Sequence, residues 1–127
     1  KLADWDGEHY RAVQPIKDAV ANDSTGTQRI AILYAQDQAA LAQRMRFHLL
    51  PTVRVEHARR LSEGYVKHAG LKYDYVVLLS APGRDPRSEP MFRAAGDRER
   101  LKHWRVMSVQ GPVVLYATNR AHSRGKS

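Results

Sequence analysis

The chain contains no cysteine. That excludes a disulfide framework and any thiolate-held zinc or iron–sulfur centre. No apolar run approaches the roughly 20 residues needed to cross a bilayer. Eight glycines and six prolines in 127 residues are too few for a collagen-like or low-complexity chain. A basic segment followed by an apolar one, the mark of a secretory leader, is also missing. The chain begins at Lys1 and is read as processed, excised or trimmed. Lack of cysteine is compatible with cytoplasm or periplasm and selects neither.

What is there is a chain of one-domain length, 43% hydrophobic, long enough to bury a core without staples. Its charge is lopsided: 21 lysines and arginines face 13 acids, a net +8. Residues 1–63 hold nine basic and eight acidic groups, whereas residues 64–127 hold twelve and five. A one-sided positive field concentrates anions, and arginine suits bidentate capture of phosphate or carboxylate.

Residues 1–28 read as a polar N-terminal leader, with a helix from Glu8 to Val20 that Pro15 should kink or restart. A single α/β domain is expected over residues 29–118. Residues 30–35 (IAILYA) are apolar without alternation, as in a strand buried on both faces. Asp37 is the expected N-cap of an amphipathic helix over 38–49, which Pro51 stops. Residues 53–56 alternate and read as a second strand. Residues 58–68 read as a helix carrying Leu61, Tyr65 and Ala69, with Gly70 as its C-terminal cap. Residues 73–79 give the strongest strand signal.

Strands alternating with helices predict a mostly parallel sheet in the order 2-1-3, within a three-layer α/β sandwich. Ser88 is the expected cap of a helix over 91–103. Residues 104–109 and 112–118 read as a C-terminal β-hairpin turning at Gln110-Gly111, and 119–127 as a basic tail. The core of three strands with helices between them resembles flavodoxin-like and receptor-type signalling modules. That resemblance implies a topology and no activity.

Ligands of parallel α/β sheets bind beyond the carboxyl ends of the strands, where helix N-termini present unpaired donors. The expected edge site there combines Asp37, Glu56, His57 and Ser80. Each also has a plain reading: cap, solvated strand end, turn residue. Ser80 lacks the glycine flanks of an esterase elbow, and no phosphate-cradling glycine loop follows the first strand. Arg84 and Arg87, in a proline-braced loop, are candidates to clamp an anion. Arg98, Arg100, Lys102 and Arg105 surround Trp104, a pattern that can hold a nucleic-acid backbone and stack a base. The six histidines show no metal spacing, so neither a metal nor another cofactor is expected.

The sequence therefore points to a non-enzymatic binding or assembly module whose basic C-terminal half engages an anionic partner, a nucleic acid before an acidic protein. Two alternatives accompany it. One is a small or degenerate α/β enzyme using the edge site on a phosphorylated or carboxylated ligand. The other is an oligomeric component of a larger envelope or secretion assembly.

Overall fold

In the computed structural model, residues 7, 9–22, 28–35, 37–62, 65–88 and 95–120 are described, the side chains of 95–98 excepted. The elements are α1 (Val13–Ala21), β1 (Ile30–Tyr34), α2 (Ala39–Leu49), β2 (His57–Arg60) and α3 (Tyr65–Lys72). They continue with β3 (Tyr75–Leu79), a 3-10 turn (Pro86–Ser88), α4 (Ala95–His103), β4 (Arg105–Gln110) and β5 (Val113–Ala117). This is a mixed α/β fold with one five-stranded sheet in the order β2-β1-β3-β5-β4.

The three strands joined through helices are parallel, in the expected 2-1-3 order. The hairpin strands β5 and β4 return antiparallel beside β3. The sheet is thus half parallel rather than mostly so. Gly111 turns the hairpin at φ 58°, a left-handed conformation that glycine adopts without a Cβ penalty.

β3 is central because every one of its residues is buried. Side chains alternate across a strand, so each central strand feeds two cores. Ile30, Ile32, Val77 and Leu115 join one core with Ile16 of α1 and Leu41, Met45 and Leu49 of α2. Ala31, Leu33, Leu78 and Val114 join another with Val66 and Ala69 of α3, Tyr73 and Trp104. Each fully buried Leu, Ile or Val contributes about 1.5–3 kcal/mol through the hydrophobic effect.

Several local expectations are corrected. The second strand is His57–Arg60, not 53–56. Val53 and Val55 bury against the first core, while ladder pairing with β1 begins only at Ala31 opposite His57. The next helix consequently starts at Tyr65 instead of Ala58, and Leu61 is a buried loop residue.

Gly70 is not a cap but lies inside α3, where a Cβ would meet Trp104 Cζ2 at 2.9 Å. Asp37 does not cap α2: it sits at φ 70°, and Gln38 occupies the cap position without a side-chain bond. Pro15 goes with a restart rather than a kink: residues 9 and 10 are helical, 11 and 12 turn, and α1 begins at Val13 with the proline in its first turn, where no N–H is needed. Ser88 ends the 3-10 turn and donates its hydroxyl to Asp85 O at 2.7 Å. Glu8 and residues 89–94, with the expected start of the helix at 91, lie outside the described residues.

Candidate anion-binding clefts

The shift of β2 divides the expected edge site. Asp37 and Ser80 follow β1 and β3, at the carboxyl end of the parallel strands. Glu56 and His57 stand at the opposite end, since Glu56 N–H donates to Ile30 O, at the start of β1. The four residues do not converge.

Ser80 is fully buried and its hydroxyl donates to Arg84 O at 2.7 Å, the work of a turn residue. Its carbonyl lies 2.7 Å from Nε2 of buried His9. The loop arginines are also engaged. Arg87 closes on Asp85, with Nη2 2.6 Å from Oδ2, while the Arg87 backbone N–H donates to Oδ1 at 2.9 Å. That guanidinium holds the Asp85 carboxyl below the usual carboxylate range.

Lys67, Arg100 and Arg120 meet toward the opposite end of the sheet, where β1 begins. Two helices of the second core, α3 and α4, line a cleft of about 530 Å³ there. Helical spacing puts Lys67, Gly70 and Leu71 of α3 on its wall. The last turn of α4 adds Arg100 and His103, and Arg120 closes the cleft from beyond β5. No carboxylate lines it among the described residues, and Lys67 and Arg100 are exposed.

Trp104 forms the floor. It is only 6% exposed and packs edge-on against Tyr116, with ring centroids 5.8 Å apart. Trp104 has both a stacking and a core reading in the sequence; in the fold the indole packs in the core and its edge touches the cleft. Of the expected cluster, Arg100 and Trp104 line the cleft, whereas Lys102 and Arg105 do not. Lys102 pairs with Glu99 at 3.2 Å, Arg105 is exposed at the start of β4, and the side chain of Arg98 is outside the described residues.

Arg120 was expected in the tail, yet it is tied to the sheet. Its Nε lies 3.4 Å from Oδ1 of buried Asp74 and its Nη1 donates to Leu71 O. The other carboxylate oxygen of Asp74 accepts the Arg29 backbone N–H at 2.7 Å. Arg29 in turn grips Glu56 in a two-pronged pair, which holds the Glu56 carboxyl below its ordinary range. A second cleft of about 660 Å³ opens beside that pair, walled by Arg46, Arg54 and Leu50. Lys67, Arg29, Arg46 and Arg54 are not marked by the sequence, and Arg120 is marked only as part of the basic tail, because only the fold brings their separate segments to one end.

Tyr73 lies between the clefts and gives this end of the molecule a pH signature. Burial pushes its phenol up to about 12, with the neighbouring Tyr65 adding in the same direction. A folded-state value above the unfolded one means that the folded chain keeps its proton longer. Stability from this group is complete below pH 10 and lost as pH rises toward 12, by about 2–3 kcal/mol. Urea unfolding at pH 9 and 11 should show about half of that loss, and Tyr73→Phe should remove most of it.

Among the described residues, no group of three metal-ligating side chains occurs and no helix is long and apolar enough to cross a membrane. Comparison with protein-family models, curated proteins and solved structures yields no match.

Proposed function

We propose that this chain is a non-enzymatic binding module that seats an anionic partner, a nucleic acid, in the cleft between α3 and α4. The observation that carries this reading is the cleft's wall: Lys67, Arg100 and Arg120 face it from three separate segments, with no lining carboxylate among the described residues. Cations held in a concavity act on a ligand through less water than cations scattered on a convex surface. The partner is held by its phosphates, since Trp104 is enclosed and offers no open face to a base. The reading goes with a three-layer sandwich in which helices cover both faces of the sheet.

Binding to three phosphates releases counterions, so the logarithm of affinity should fall linearly with the logarithm of salt, with a slope of about −2 for a single strand. Titration of a labelled oligothymidylate of about 4 nucleotides from low to physiological salt tests this. Absence of binding at low salt ends the proposal.

A second reading, self-association, rests on β4. This edge strand carries exposed Val106 and Val109, 44% and 43% accessible. A bulge between Val106 and Ser108 sets both valines beside second-core partners, Tyr116 and Val114, and hence on one face. Antiparallel pairing with a second copy would set Val106 opposite Val109 of the partner. Sedimentation of wild type and Val109→Lys tests it: a dimer lost in the variant supports the reading, and a wild-type monomer at high concentration removes it.

A further inference from the structure

We propose that the two clefts form one track, and that the nucleic acid it takes is a single strand running from α3 and α4 across the end of the sheet to the edge at β2. This rests on the reading above and extends it to a second site. The clefts are joined by direct contacts. Asp74 binds Arg120, a wall of the first cleft, through one carboxylate oxygen and the Arg29 backbone N–H through the other. Arg29 is a wall of the second cleft. Between them, Lys72 Nζ and the Arg29 guanidinium lie 5.5 Å and 5.6 Å from the centre of the same Tyr73 ring.

Beyond that ring, Arg46 donates to Val55 O at 3.2 Å, and exposed Arg54 completes the second wall. Glu56, the one carboxylate lining either cleft among the described residues, is already neutralised by Arg29. The path therefore runs from cation to cation, with its two acids, Glu56 and Asp74, held by Arg29 and Arg120.

The shape selects a single strand. All its cations but Lys72 line two concavities of about 530 and 660 Å³, so the ligand must enter one, cross the half-buried Lys72 and Arg29 that flank the enclosed Tyr73 ring, and enter the other. A duplex has a persistence length of about 150 base pairs and does not bend over a few nucleotides. A single strand follows such a groove readily, with phosphate contacts supplying affinity and little preference among bases.

The test compares oligothymidylates of about 4 and about 12 nucleotides on the full chain, with wild type, Arg54→Glu and a duplex of the longer length. The short probe reaches one cleft and should give a salt slope of about −2. The long probe adds Arg46, Arg54 and Lys72 and should approach −4. Arg54→Glu should weaken the long probe about tenfold and leave the short one unchanged, and the duplex should bind at least tenfold more weakly than the long strand. Near-ultraviolet circular dichroism confirms that the variant is folded. If the short probe binds but Arg54→Glu leaves the long one unaffected, the track is wrong and the first cleft stands. If the duplex binds as well as the strand, the single-strand assignment is wrong. If the short probe fails to bind at all, the underlying function falls, and the track with it.

Discussion

Trp104→Ala is expected to lower the unfolding free energy by about 3–5 kcal/mol, the range for deleting a large enclosed aromatic. The indole joins the second core, contacts Tyr116 edge-on and covers Gly70 of α3. It thereby fixes the separation of α3 from the end of α4, which is the width of the first cleft. Gly70→Ala probes the same lock from the other side. Its Cβ would lie 2.9 Å from Cζ2 and 3.3 Å from Nε1 of a ring packed in the second core, at a cost of about 1–3 kcal/mol. In the Trp104→Ala background that cost should vanish, because the crowded atoms are gone. Urea unfolding of the four proteins in this double-mutant cycle measures the coupling directly. Additive effects would show that the two residues do not meet.

The second large effect concerns binding. Lys67→Glu combined with Arg100→Glu should weaken affinity for a single-stranded oligonucleotide on the order of 100-fold at low salt, since two attractions become repulsions inside one concavity. The salt slope for the short probe should fall from about −2 to less than −1 in magnitude. Stability should change by no more than about 0.5 kcal/mol, because both side chains are exposed and neither forms an ion pair among the described residues. Fluorescence anisotropy across a salt series, alongside urea unfolding, separates the two quantities. A variant that remains folded and binds like wild type contradicts the cleft assignment.

The parts of the fold visible in the sequence are those where burial is strong. β1 and β3 are continuous apolar runs because both their faces are covered, and α2 shows its Leu41, Met45 and Leu49 stripe because one face packs on the sheet. β2 was hidden for the opposite reason. It is an edge strand of sequence HARR whose residues are exposed or half-buried, so backbone pairing to β1 holds it without an apolar pattern. The alternating Val53 and Val55 just before it bury as a strand would, yet make no ladder.

That four-residue displacement moved Glu56 and His57 to the other end of the sheet and dissolved the expected edge site. The charge excess of the second half was legible, but not its address. Arg100 and Trp104 were singled out, whereas Lys67 lay in a helix whose start had been misplaced and Arg120 in a segment read as tail. Nothing local marks Arg120 as the partner of Asp74, which is 46 residues away.

The two ends of the sheet make rival claims on an anion, and a single comparison decides between them. Arg87 stands in the loop after β3, bound to Asp85, while Arg100 lines the cleft at the end where β1 begins. Affinity for the short oligothymidylate should be measured at low salt for Arg87→Ala and Arg100→Ala side by side. The account predicts a loss of about 3- to 10-fold for Arg100→Ala and none for Arg87→Ala. Weakening by Arg87→Ala with Arg100→Ala unchanged would place the anion at the carboxyl end of the parallel strands and contradict it.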